Sequence, residues 1–237
     1  MKARIPALLL ASLLWGCVAN NTQSLVILQN NVPEVNEGVC TAPGQASTSY
    51  RGNGTLDVSL VAGAGTSTQL VGYLMFPVVQ NNLDATVSGT SVTIDPNAFN
   101  IQLSRVDVEV SDPVTGRALG SRFSVPVFKV LEAGDSAGMV VDVMPYPVIA
   151  ELGDTSMAMV KLTVIGERDG GTIKSNTMEY AITICDGCLF DNAGACVDFT
   201  GTGSVNECNI AQDQTAVCCE HSTKGLICPA EAETPPV

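Results

Sequence analysis

The sequence predicts an all-β protein: an immunoglobulin-like antiparallel β-sandwich followed by a small, disulfide-rich, loop-dominated segment. Between residues 25 and 184, apolar runs with a period of two recur, and Gly, Asp, Asn and Pro turn signals separate them. Helical periodicity is hard to find after Cys17. Seven of the nine cysteines lie between residues 185 and 228, a stretch too poor in apolar residues to build a large core without cross-links.

The first half of the sandwich is predicted from short runs of β-forming residues. Three such runs are residues 25–28, 55–60 and 73–79. In a fourth run, residues 105–110, the valines share one face and the charged side chains the other. Ile101 and Leu103 alternate in the opposite phase, so we expect a bulge or bend near Ser104.

The second half ends in a hairpin. Further strands are predicted at residues 123–130 and 139–144 and, as the two arms of the hairpin, at residues 160–164 and 178–184. Between the arms, residues 167–172 contain Gly170 and Gly171, and glycine accepts the positive φ of tight turns. Pro77 and Pro126 stand inside apolar strands and predict edge strands or bulges, because proline cannot donate to a sheet.

The N-terminus has the form of a secretory signal. A basic start precedes an apolar run over residues 5–14, which is too short to span a bilayer as a helix. The run ends in Leu14-Trp15-Gly16-Cys17, which resembles the lipobox of bacterial lipoproteins. The resemblance implies that residues 1–16 are removed and that Cys17 becomes the lipidated N-terminus.

The same resemblance implies a location. Acyl chains on Cys17 would anchor the protein stably, because two or more chains suffice for that. The enteric lipoproteins that stay at the inner membrane carry Asp after the lipidated Cys; Val18 stands there, so we expect the outer membrane of a bacterial cell envelope. Trp15 departs from the Ala, Ser or Thr that the family favours, and an ordinary signal peptide cut after Ala19 is the alternative.

Behind the signal the chain divides into four parts. Residues 17–24 are a polar tether, 25–184 the β-sandwich, 185–228 the Cys-rich segment and 229–237 a tail without periodicity, predicted to be disordered. This layout loosely resembles uncharacterised cysteine-rich envelope lipoproteins, a resemblance that implies no activity.

The charge balance excludes one class of partner. The formal charge of −13 becomes −15 on loss of residues 1–16, which contain Lys2 and Arg4 and no acid. An acidic surface repels phosphate backbones, so no nucleic-acid partner is expected.

The cysteine count favours disulfides. Apart from Cys17, eight remain, and an exported chain is expected to pair all of them: Cys40, Cys185, Cys188, Cys196, Cys208, Cys218, Cys219 and Cys228. Seven in the Cys-rich segment is an odd number, so Cys40 should pair with one of them. The Cys185-Asp186-Gly187-Cys188 spacing is also that of a zinc knuckle or a redox-active pair, and these alternatives stay open.

Two further patterns are weak. Gly134-Asp135-Ser136-Ala137-Gly138 matches the Gly-x-Ser-x-Gly elbow of α/β-hydrolases, and His221 is the only histidine, yet a strand rather than a helix is predicted after Ser136. Two acidic sets could attract Ca²⁺ but lack the EF-hand spacing, and we expect them to be solvated: Asp107, Glu109 and Asp112, and Asp186 and Asp191.

The sequence as a whole favours a membrane-anchored, non-catalytic interaction or structural module of the bacterial envelope. The expected contacts are the membrane, through the lipid, and another envelope protein. We assign no catalytic residue, metal ligand or cofactor. The alternatives are an envelope protein that binds Zn²⁺ or Ca²⁺ and a serine esterase using Ser136.

Overall fold

The computed structural model describes residues 23–36, 39–63, 72–83, 96–198, 208–209, 211–223 and 225–228. The strands within them are β1 Leu25–Asn30, β2 Glu34–Asn36, β3 Val39–Thr41, β4 Asn53–Asp57, β5 Leu74–Met75, β6 Pro77–Asn81, β7 Ile101–Ser111, β8 Phe123–Leu131, β9 Ser136–Gly138, β10 Val141–Asp142, β11 Met157–Arg168, β12 Gly171–Cys185, β13 Phe190–Ala195, β14 Ala216–His221 and β15 Gly225–Ile227. The α-helices are α1 Val58–Gly63 and α2 Tyr146–Ile149, and 3₁₀ turns occupy Pro96–Phe99 and Cys196–Asp198. No helix in these ranges has the length and apolar character needed to cross a membrane.

Two sheets enclose one apolar core, so the predicted all-β fold is confirmed. The larger sheet has the order β4-β12-β11-β7-β8, and the smaller has the order β1-β6-β9. Val79 and Ala137 from the smaller sheet belong to the same buried cluster as Val108, Leu162 and Ile182 from the larger. A third, small sheet, β13-β14-β15, lies in the Cys-rich segment.

One strand departs from the antiparallel pattern of the sandwich. β4 pairs with β12 in parallel, with Asn53 opposite Ala181 and Asp57 opposite Cys185. The other neighbours in the larger sheet are antiparallel. A parallel neighbour requires a long crossover, and here most of the sandwich lies between the two strands in sequence.

The predicted hairpin and bulge are both confirmed. β11 and β12 pair from Met157 to Arg168, and the turn between them has positive φ at Asp169 (50°) and Gly170 (76°). In β7, the pairing skips Ser104 on both sides, towards β8 and towards β11. The side chain of Ser104 donates instead to the carbonyl of Ile165, at 3.2 Å. The bulge shifts the phase of β7, so that Ile101 and Leu103 are buried together with the later valines.

The predicted strand over residues 55–60 is wrong in its second half. β4 ends at Asp57, and α1 begins at Val58. The Asp57 carboxylate accepts bonds from the backbone N–H and the hydroxyl of Ser59, at 3.0 and 2.6 Å. This is the geometry by which Asp caps a helix N-terminus.

Two other predicted strands are shorter than expected. The run 73–79 divides at Phe76 into β5 and β6, where the Phe76 amide donates to the Asn30 side chain at 2.6 Å. Of the predicted run 139–144, only Val141 and Asp142 form a strand, β10, which pairs with β5. The strand that pairs with β6 is β9, which ends at Gly138, before the predicted run begins. Phe76 and residues 139–140 therefore separate the smaller sheet from the two-stranded sheet of β5 and β10.

Of the two prolines expected to mark edge strands or bulges, one lies in an edge strand and the other does not. Pro126 lies in β8, at the edge of the larger sheet, as expected. Pro77 lies in β6, the central strand of the smaller sheet, which contradicts the edge or bulge expectation. Pro77 is the first residue of that strand, a position at which a missing N–H is tolerated.

Replacing Leu162 with Ala should lower the free energy of unfolding by about 2–5 kcal/mol, because the change leaves a cavity in the shared core. Leu162 is fully buried on β11 between β7 and β12. Urea unfolding checks the value, with Lys161→Ala as the control. Lys161 is the preceding residue on the exposed face, and its ion pair with Glu179 is worth at most about 1 kcal/mol. Equal losses in the two variants would contradict the placement of the core.

Candidate functional site

The Cys-rich segment covers the outer edge of β4 with the backbone of residues 211–213, and it binds β5 with the side chain of Gln212. The amide of this side chain accepts from the N–H of Leu74 at 2.8 Å and donates to the carbonyl of Leu74 at 2.9 Å. Gln212 also forms a bridge with Leu56 of β4. Asn209 adds a bond to the carbonyl of Gly72 at 2.5 Å. Gln212 is fully buried, and its amide satisfies backbone groups as a neighbouring strand would.

Asp213 anchors the same segment with its carboxylate. Arg51 donates to it at 2.6 Å, the N–H of Thr55 at 2.8 Å and the hydroxyl of Tyr73 at 2.8 Å. The Tyr73 hydroxyl also lies 3.1 Å from that of Tyr180. Burial, and then the negative charge of Asp213, raise the pKa of Tyr73 well above its usual range, so its O–H stays a donor.

A shallow polar cleft of about 350 Å³ lies beside this carboxylate. Its lining residues are Tyr50, Arg51, Gly52, Asn53, Gly54, Thr55 and Asp213. The Asp213 side chain is only 5% exposed and its charge is matched by that of Arg51. The lining residues come from both the sandwich and the Cys-rich segment, so the cleft marks the junction between them. Because Arg51 and Asp213 pair with each other, the cleft presents no uncompensated charge to a ligand.

A second buried carboxylate, Asp57, holds the loop between Cys185 and Leu189. It accepts from the N–H of Gly187 at 2.8 Å and from the N–H of Leu189 at 2.7 Å, in addition to its two bonds from Ser59. Burial by itself would raise the pKa of Asp57. The bonds from the Ser59 hydroxyl and from the three amides outweigh burial, and the pKa is lowered.

All eight cysteines of the expected set form disulfides. The pairs are Cys40–Cys208, Cys185–Cys188, Cys196–Cys219 and Cys218–Cys228. The expected bridge from Cys40 to the Cys-rich segment therefore ends at Cys208, next to Asn209. The sulfurs of Cys185 and Cys188 lie within 4.8 Å of a carboxylate oxygen of Asp57. With the sulfurs bonded to each other, they do not supply the two thiolates that a zinc site takes.

Ser136 and His221 lie in different sheets. Ser136 begins β9, opposite Gln80, and its hydroxyl donates to the carbonyl of Gly44 at 2.8 Å. His221 ends β14, and its Nδ1 accepts from the N–H of Thr223 at 3.1 Å. A nucleophile elbow turns from a strand into a helix, and Ser136 instead leads into the next residues of β9. The local geometry is that of a turn followed by a strand.

The acidic residues singled out for Ca²⁺ are engaged separately. In the first set the partners are Arg105 and Ser124 for Asp107, Arg122 for Glu109, and the backbone of Val114 and Thr115 for Asp112. Asp186 and Asp191 are both exposed. Asp107 and Glu109 therefore lie on the outer face of β7 and Asp112 in the turn that follows it, and each carboxylate binds its own donors.

The outer edge of β8 carries an exposed apolar row that the sequence analysis did not single out. Phe128 is 83% and Val130 57% exposed, and Pro126 is exposed on the same face. Among the described residues, β8 is paired with β7 alone. We call Pro126, Phe128 and Val130 the apolar edge row. The alternation of residues 123–130 could have revealed it, because Val125 and Val127 on the opposite face pack against the core.

Cys17, the signal, most of the tether and the tail lie outside the described residues. The comparisons with known proteins give no independent guide to function. No protein-family model matches the chain, and a search of curated proteins finds no significant relative.

Replacing Asp57 with Asn should destabilise the protein above pH 5, with the difference from wild type shrinking as the pH falls below about 4. The folded pKa of Asp57 is lowered. The stability that it contributes is therefore fully present above the unfolded pKa and is lost as the pH falls through the folded pKa. Urea unfolding from pH 7 down to pH 3 checks this.

The matched control is Asp186→Asn, in the same loop but exposed, which should differ from wild type by less than about 0.5 kcal/mol at every pH. A difference between wild type and the Asp57 variant that stays constant down to pH 3 would contradict the assigned role of the carboxylate.

Proposed function

We propose that this chain is a lipid-anchored, non-catalytic module of the bacterial envelope, and that it binds another envelope protein through the apolar edge row on β8. The observation that carries the proposal is the contrast between the two edges of the larger sheet. The β4 edge is closed by the backbone of residues 211–213 and by the carboxylate of Asp213. The β8 edge has no partner among the described residues.

The chemistry of the β8 edge favours a selective protein partner. Phe128 and Val130 present apolar surface that gains from burial. Pro126 removes one backbone donor and Lys129 adds a charge, and both are devices that protect edge strands from indiscriminate pairing. A strand added at this edge would lack one hydrogen bond at Pro126, so backbone pairing alone would bind it weakly. A partner must therefore also bury the apolar side chains of Phe128 and Val130.

The anchor part of the proposal rests on Leu14-Trp15-Gly16-Cys17 and its resemblance to the lipobox. The paired cysteines support it, because disulfides persist in oxidising compartments such as the periplasm and the cell surface. A membrane anchor raises the effective concentration of the protein near other membrane-bound proteins, so that a contact of low affinity can still form.

A photo-crosslinking residue at position 128 should yield an adduct with one envelope protein when the chain is produced in a cell that processes lipoprotein signals. The same residue at Val39, which is 61% exposed on β3, is the matched control and should yield none. Mass spectrometry identifies the adduct. Equal labelling at both positions would contradict the proposed surface, and an adduct of twice the mass would make a second copy of the chain the occupant.

Cys17→Ser should move the protein from the detergent phase to the aqueous phase on detergent phase partitioning, because the thioether can no longer form. Trp15→Ala is the matched control and should stay in the detergent phase, since Ala suits the lipobox at that position. Intact-mass analysis of the wild type should show an acylated Cys17. An unmodified N-terminus at Asn20 would overturn the anchor.

A further inference from the structure

The four disulfides differ in exposure and in the length of chain that they close. Cys196, Cys218 and Cys219 are buried, whereas Cys188 is exposed. Cys185–Cys188 joins residues only three apart, whereas the other three join residues 10, 23 and 168 apart. We propose that Cys185 and Cys188 form a reversible dithiol–disulfide site that exchanges with an external dithiol, while the other three disulfides remain structural.

The loop around this disulfide is held in place without it. The Asp57 carboxylate binds the amides of Gly187 and Leu189. The parallel pairing of β4 with β12 fixes Cys185 opposite Asp57, and Leu189 is buried. Opening the S–S bond therefore leaves the two sulfurs facing each other, so the bond can form again.

In the reduced state, the thiol of Cys185 also has a hydrogen-bond acceptor nearby. The sulfur of Cys185 lies 3.6 Å from the carbonyl oxygen of Leu56, which can accept the S–H of the reduced cysteine. Cross-links that close long loops restrict the unfolded chain most. The stability of the fold therefore depends least on Cys185–Cys188, and most on Cys40–Cys208.

The exchange is a two-step thiol–disulfide reaction. A thiolate of the external dithiol attacks the sulfur of Cys188, the Cys185–Cys188 bond breaks, and its electron pair leaves on Cys185, which takes a proton from water. The second thiolate of the dithiol then attacks the mixed disulfide and releases Cys188, which is protonated in turn. The external dithiol is oxidised to its disulfide, and Cys185 and Cys188 are reduced by the same two electrons.

Graded reduction of the full folded chain tests the proposal. Increasing dithiothreitol, followed by alkylation and peptide mass spectrometry, should label Cys185 and Cys188 first, with the other six unlabelled and the far-ultraviolet circular dichroism unchanged. After removal of the reductant, the same pair should re-form. Labelling of all eight together, loss of structure at the first step, or re-pairing with another cysteine would overturn it.

Two single variants locate the attacked sulfur. With Cys185→Ser, the remaining Cys188 should form a mixed disulfide with oxidised glutathione at least about tenfold faster than Cys185 does in Cys188→Ser, because Cys188 is the more exposed thiol. Intact mass reports the rates, and circular dichroism checks that both variants fold. Equal rates, or a faster Cys185, would overturn the assignment of Cys188 as the entry point. The proposal does not rest on the β8 contact, since neither measurement involves a partner protein.

Discussion

The contact between β4 and residues 211–213 is the constraint on which the architecture depends. β4 is short, and it lies in parallel beside β12. Its other side is covered by a bridge to Gln212 and by the carboxylate of Asp213. Without that cover, an edge strand would present unpaired backbone groups, and the buried hydroxyl of Tyr73 would lose its acceptor. The Cys-rich segment is therefore part of the sandwich in energetic terms, although its composition sets it apart.

At three places in the described sheets, amide side chains replace backbone partners. Asn176 accepts from the N–H of Ile27 and donates to its carbonyl, beside the irregularity in the pairing of β1. Gln212 does the same for Leu74. Asn81, also buried, donates to the carbonyl of Leu131 and accepts from the N–H of Leu83. In each case an amide side chain supplies both donor and acceptor, so that the backbone groups of a broken ladder stay satisfied.

The periodic parts of the fold could be predicted from the sequence, and the junctions could not. The hairpin of β11 and β12 follows from alternation and from Gly170, and the bulge follows from a change of phase at Ser104. Asp57 could not be recognised as a loop anchor because it ends an alternating run, and the amides that it binds, those of Gly187 and Leu189, lie more than a hundred positions later. Gln212 and Asp213 stand in a polar stretch without periodicity, and their importance arises only from what folds against them.

The placement of β4 also governs the order in which the chain can acquire its structure. Thr55 bonds to a residue 158 positions away, and Cys40 is joined to one 168 positions away. Contacts of such long range require large loops to be closed before they yield any free energy, and they make folding slow. Before its C-terminal end arrives, a growing chain has an exposed β4 edge, and Arg51 and Tyr73 lack the carboxylate of Asp213. Asp57 has only its bonds from Ser59 until the loop that follows Cys185 is made. Completion of the fold therefore waits for the C-terminal part of the chain, which supplies the cover of β4 and the disulfide partner of Cys40.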